Sequence, residues 1–91
     1  MLNIGTKVKF KGKSKRIPDF TCDPTIPIEL IKHGSTKFSD YYNKNGAIIT
    51  NVHNQYYLVE FIDINNKTVC LGFTKDKLIP ISWRSRYEKR N

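Results

Sequence analysis

The chain has 91 residues, of which 38% are hydrophobic and 26% charged, and its formal net charge is +8. These values are ordinary for one small folded domain and argue against a disordered chain. The apolar runs are too short for a membrane span, so we expect no membrane partner. A chain of this length buries only about 60–65% of its unfolded surface, which predicts a thin core.

The first residues show no charged segment followed by an apolar one. We therefore expect no secretory signal and a cytoplasmic protein. Cys22 and Cys70 are the two cysteines, and in that compartment we expect free thiols rather than a disulfide.

A first strand is predicted at residues 7–11, KVKFK, where apolar and cationic residues alternate strictly. Val8 and Phe10 point towards the core, whereas Lys7, Lys9 and Lys11 form an outer face that is entirely cationic. The glycine at position 12 ends this strand.

Residues 17–45 form a long insertion after the first strand. Pro18, Pro24 and Pro27 punctuate it, and none of them can donate to a sheet ladder. Within it, residues 26–31 are compatible with a short strand or with one helical turn. Its large apolar side chains, which either fold down over the sheet or form a functional surface, are Phe20, Ile26, Ile28, Leu30, Ile31 and Phe38.

From Gly46 onward the chain reads as short strands that are joined by tight turns. The Asn-Gly pair at 45–46, the polar residues at 53–55 and 65–67, and the TKDK segment at 74–77 are turn signals. Pro80 confines the last strand to an edge or a strand end. The predicted strands are 47–52, 56–64, 68–73 and 78–81.

The order of these segments, GTKVKFKG, NGAIITNV, YYLVEF and CLGFTKDKLIPI, resembles the SH3-like barrel of the KOW and Tudor type. The resemblance covers about residues 4–81 and rests on loose motifs, namely a glycine that opens the second strand, Tyr-x-Val-x-Phe and Leu-x-Pro. It implies a mostly β, five-stranded barrel at residues 1–81 in which the first and last strands are neighbours. Residues 82–91 would form a basic C-terminal tail.

Ten of the sixteen basic residues lie in two short segments, residues 7–16 and 84–90. Between them, residues 17–83 hold six lysines against seven acids, so the positive field is localised at the two ends. A localised positive field attracts polyanions, although a solvated strand face and a solubilising tail would look similar. The candidate phosphate contacts are Lys7, Lys9, Lys11, Lys13, Lys15, Arg16, Arg84 and Arg86.

Exposed aromatic rings would add base stacking to such a site. Trp83 is the best candidate, followed by Tyr41 and Tyr42, although small barrels also use such rings to close their ends. In an alternative interpretation the insertion binds a protein partner. That surface would consist of Phe20, Ile26, Ile28, Phe38, Tyr41 and Tyr42.

Metal binding and catalysis have little support. The cysteines and histidines share no metal-ligand spacing, no family signature frames a nucleophile, and the five glycines are scattered. We therefore predict a non-enzymatic protein without a metal or cofactor, whose partner is a nucleic acid or else an acidic protein surface. A phage or mobile-element protein that binds a host protein would fit the second class, and DNA or RNA preference and oligomeric state are left open.

Overall fold

The computed structural model describes residues 2–12, 16–21, 24–39 and 46–81. In these ranges the protein is mostly β, as predicted, and its strands form one antiparallel five-stranded sheet. The helical elements found there are two single 3-10 turns, Ile28–Leu30 and Lys75–Lys77. The strands are β1 Lys7–Phe10, β2 Ala47–His53, β3 Tyr56–Ile62, β4 Thr68–Thr74 and β5 Leu78–Pro80.

The strand order in the sheet is β4-β3-β2-β1-β5, so the first and last strands are neighbours, as the resemblance implied. Val8 lies opposite Pro80, and Lys9 lies opposite Ile79. Pro80 therefore lies on an edge strand, the position that its missing N–H favours. The two edges, β4 and β5, do not pair with each other among the described residues, and strand pairing leaves the sheet unclosed.

The inner face of the sheet, which carries Val8, holds the main core. Val8 is fully buried between β2 and β5. Phe10 lies against three other rings, with centroid separations of 5.6 Å to Phe38, 5.4 Å to Phe61 and 4.9 Å to Phe73. Phe38 belongs to the insertion, so that segment contributes directly to the core.

The insertion also closes the free edge of β4. The N–H of Thr21 donates to the carbonyl of Gly72 at 2.8 Å, and Lys32 exchanges two backbone hydrogen bonds with Cys70 at 2.9 and 2.8 Å. An uncovered edge strand would present unpaired N–H and C=O groups to other chains. Of the two possibilities that the sequence left open, the described part of the insertion therefore takes the first and packs on the sheet.

This packing explains why β4 departs from strict alternation. Alternation would place Val69, Leu71 and Phe73 on one face of β4 and leave the other face exposed, yet the five consecutive residues 69–73 are all buried. On the opposite, outer face, Ile26 packs on Leu58 and Cys70 in a second small cluster. Alternation predicts a strand with one exposed face. In β4 the main core covers the inner face and the insertion covers the outer face, so both faces are buried.

Candidate nucleic-acid interface

The outer face of β1 presents the predicted cations. Val8 is 0% exposed, while Lys7, Lys9 and Lys11 are exposed. Alternation along the strand places Lys7 and Lys9 on one face, about 6.6–6.8 Å apart. The predicted half-buried strand with a cationic outer face is therefore confirmed.

Pairing on both sides holds β1 in place. Lys7 lies opposite Ile48 of β2, and Lys9 lies opposite Ile79 of β5. At the ends of the strand, the N–H of Lys11 donates to the carbonyl of Lys77 at 2.9 Å, and the N–H of Ile81 donates to Lys7 at the same distance. The cations thus project from a fixed backbone rather than from a loop.

A row of five residues crosses the outer face from β1 to the insertion. Register places Lys7 opposite Ile48, Ile48 opposite Glu60, and Glu60 opposite Cys70, which bridges to Lys32. Directly opposed residues of antiparallel strands share a face. The ion pair between Lys32 and Glu60, at 3.7 Å, agrees with that placement.

The other predicted phosphate contacts fall in different places. Arg16 is exposed and pairs with Lys37 in an isolated bridge at the start of the insertion. The structure does not bring it into the row on the outer face. The predicted site residues that lie outside the described ranges are Lys13, Lys15, Tyr41, Tyr42, Trp83, Arg84 and Arg86.

Among the described residues, this face presents no exposed aromatic ring for base stacking. In the described ranges every Phe and Tyr is buried or half-buried. Tyr56 packs against the small outer cluster and Tyr57 against the main core. The described part of the interface therefore offers charge without stacking platforms.

The partner-binding surface of the alternative interpretation divides into two parts. Ile26 and Phe38 are core residues, and Phe20 packs against Phe73 with a centroid separation of 6.3 Å. Their side chains support the fold and are not presented to a partner in this conformation. Ile28, by contrast, is 83% exposed.

Ile28 stands at the rim of an apolar groove of about 350 Å³. Thr21, one of its lining residues, bridges to Gly72 of β4, and Lys32, next to the lining residues Ile31 and His33, bridges to Cys70. Its lining consists of Thr21, Pro24, Ile26, Ile28, Ile31, His33 and Leu71.

Asp63 is the polar residue of greatest structural consequence, and sequence reasoning missed it. Its fully buried carboxylate accepts backbone N–H groups of Ser35 at 2.8 Å, Asn65 at 2.9 Å and Lys67 at 2.8 Å. These hydrogen bonds, that of Lys67 first, hold its pKa below the ordinary value although burial acts the other way.

The sequence predicted that this strand would run to residue 64, but β3 ends at Ile62. Asp63 explains the earlier end. Its N–H donates to the carbonyl of Lys67, and its own carbonyl accepts from Asn66, so the turn begins here. An Asp two residues before Asn-Asn was the available signal, because Asp side chains bond to the backbone two residues on.

Metal and thiol chemistry find no support in the described ranges. Residues 2–12, 16–21, 24–39 and 46–81 contain no group of three His, Cys, Asp or Glu side chains placed to hold an ion. Cys70 is a buried free thiol whose hydrogen-bond partner is the Thr50 hydroxyl at 3.6 Å. Burial raises the pKa of the Cys70 thiol, which disfavours the reactive thiolate.

Comparison with protein-family models, with curated proteins and with solved structures found no match. A search of the described residues for a helix long and apolar enough to cross a membrane also found none.

Proposed function

We propose that this protein is a non-enzymatic, cytoplasmic nucleic-acid-binding protein that contacts phosphates with the outer face of β1 and with its basic C-terminal tail. The observation that carries the proposal is the pair Lys7 and Lys9, exposed on one face of a strand that is hydrogen-bonded on both sides. A fixed row of cations meets a regular polyanion at a small entropic cost.

Two features favour contacts to the phosphate backbone of the nucleic acid. The cations of β1 are lysines, and the described residues include no exposed aromatic ring. Lysine acts as a point charge on phosphate, whereas bidentate reading of bases is typical of arginine. Contacts to phosphate position a protein on nucleic acid without reading its sequence. We therefore propose binding that is largely independent of sequence and strongly dependent on salt.

At the level of fold, we propose an SH3-like barrel of the KOW and Tudor type with a long insertion after the first strand. Support comes from the antiparallel run of β1 to β4 and from the position of β1 between β2 and β5. The insertion along the free edge of β4 is this chain's own addition.

The test compares two variants of equal net charge. In the first, Lys7, Lys9 and Lys11 are replaced by Gln, and in the second, three other exposed lysines, Lys37, Lys67 and Lys75. Each set removes three charges, which lowers the net charge from +8 to +5. Binding to labelled duplex DNA and RNA is measured at several salt concentrations.

Each phosphate contact contributes about −0.9 to the log–log slope of affinity against salt for duplex DNA. Loss of the β1 lysines should therefore flatten the slope by about 2 to 3, and the control set should change it by less than about 1. Circular dichroism should be unaltered in both variants because these side chains face water. Equal losses in the two variants would show that the attraction is diffuse charge, and the proposal would fall.

The groove at Ile28 favours a second candidate function, a protein-interaction module. An apolar residue that is 83% exposed beside an apolar groove is typical of a contact surface. The net charge of +8 would steer it towards an acidic protein that presents an apolar side chain. A phage or mobile-element protein that binds a host protein is the role we propose for this alternative.

Ile28→Ser separates the two functions. A host protein that binds the wild type and the β1 lysine variant but not Ile28→Ser would establish the alternative. If the β1 variant loses nucleic acid while Ile28→Ser retains it, the first proposal stands.

A further inference from the structure

The row of residues across the outer face extends the candidate interface beyond β1. Two strand spacings separate Lys7 from Glu60 and two more separate Glu60 from Lys32, so Glu60 lies about 9.5 Å and Lys32 about 19 Å from Lys7 along the row. Both cations and the acid between them share one face, as the register and the ion pair require. Lys32 was not a predicted site residue.

The backbone of Lys32 is also held in place. Its backbone exchanges two hydrogen bonds with Cys70, which anchors this arm of the insertion to β4. Its side chain is 56% exposed, and that of Glu60 is 39% exposed. A cation in this setting can leave a partner at 3.7 Å because an exposed ion pair contributes little to stability.

We infer that Lys32 is a further phosphate-contact residue of the proposed interface and that Glu60 limits binding by neutralising it. This inference rests on the proposed nucleic-acid function. A phosphate group that approaches the outer face meets Lys7 and Lys9 at one end of the row and competes with the Glu60 carboxylate for Lys32 at the other. Charge-assisted hydrogen bonds to phosphate can replace the ion pair, but Glu60 then faces the ligand unpaired.

Glu60→Gln tests the inference, and Glu29→Gln is the matched control. Both changes raise the net charge by one, and Glu29 is an exposed acid of the insertion outside the row. With a 20-base-pair DNA duplex as the probe, Glu60→Gln should tighten binding by at least about threefold and steepen the salt slope by about 0.9. The control should tighten binding by less than about twofold and leave the slope unchanged.

The double variant Glu60→Gln with Lys32→Gln identifies the residue that makes the new contact. Its slope should return to the wild-type value. If the steeper slope persists, the gain comes from Lys7 and Lys9 alone, and the assignment of Lys32 is overturned.

Two further comparisons keep the outcomes distinct. If Glu60→Gln and Glu29→Gln behave alike while the β1 lysine variant still loses binding, this inference fails and the proposed function stands. If the β1 variant binds as the wild type does, the proposed function itself fails. Should Glu60→Gln lower the urea midpoint, Glu60→Thr, which suits a strand, provides the second variant.

Discussion

At the residue scale, Asp63 joins the insertion to the turn between β3 and β4. Its carboxylate satisfies backbone N–H groups from both segments, Ser35 on one side and Asn65 and Lys67 on the other. A buried donor that loses its acceptor costs more than the net contribution of the hydrogen bond. One side chain therefore supports two segments that lie far apart in sequence.

We expect Asp63→Asn to lower the melting temperature by several degrees at neutral pH, because an amide accepts with one oxygen only and its NH2 group would face N–H donors. In the wild type the pKa of Asp63 is below its unfolded value of about 3.9. A depressed pKa gives stability that is present above the unfolded pKa and lost as pH falls through the folded pKa.

Urea midpoints measured from neutral pH to about pH 2 would check this. The wild type should lose stability below about pH 4, and Asp63→Asn should lose less over the same range. Some dependence should persist because the Thr74 hydroxyl also lowers the pKa of Asp76. Parallel profiles for the two proteins would contradict the proposed role of Asp63.

Gly34 lies so close to the side chains of Val69 and Asp63 that a larger residue would not fit there. A Cβ atom at this position would lie 2.5 Å from Cγ2 of Val69 and 2.8 Å from Oδ2 of Asp63. We expect Gly34→Ala to lower the free energy of unfolding by about 1–3 kcal/mol, as overpacking of a core does. Val69→Ala removes the nearest atom, so the double variant should lose less than the sum of the single variants. Urea denaturation measures all three, and strictly additive losses would show that this contact is not the cause.

At the scale of elements, the insertion offers two isoleucines as a matched pair. Ile26 is 6% exposed and packs on Leu58 and Cys70, whereas Ile28, two residues later, is 83% exposed. Ile26→Ala should lower the free energy of unfolding by about 2–4 kcal/mol, and Ile28→Ala should change it by less than about 0.5 kcal/mol. Urea midpoints would measure the difference. Indistinguishable midpoints would mean that the insertion does not contribute to the cooperative fold.

The strands could be predicted from the sequence because their signals are local. Alternation, as at Val8 and Phe10, together with the turn signals between segments, identified each strand to within one or two residues. The path of the insertion could not be predicted, because it is fixed by isolated bridges such as those of Thr21 and Lys32 to β4. No local pattern encodes a partner 51 or 38 positions away. For the same reason the sequence did not show that Lys32 shares a face with Lys7.

At the scale of the whole molecule, the position of charge matters more than its total. Ile81, the last described residue, donates its N–H to the carbonyl of Lys7 in the candidate interface. The described sheet holds few acids on its outer face, and Glu60, in the middle of that face, is paired with Lys32. Any protein of net charge +8 attracts polyanions at low salt, so a specific patch is identified only by comparing variants of equal charge.

The basic tail provides a third set of cations whose removal gives the same net charge. Replacement of Arg84, Arg86 and Arg90 by Gln also lowers the net charge from +8 to +5, as do the β1 set and the control set. If both ends of the chain contact one ligand, the tail variant should flatten the salt slope by about 2 to 3, as the β1 variant does. The control should change it least. Because the two losses add, the slope of the wild type itself should be about −4 to −6. A tail variant that behaves like the control would confine the interface to the sheet. If the β1, control and tail variants all lose affinity equally, the attraction is only diffuse charge. The protein-interaction function would then replace the proposed nucleic-acid function.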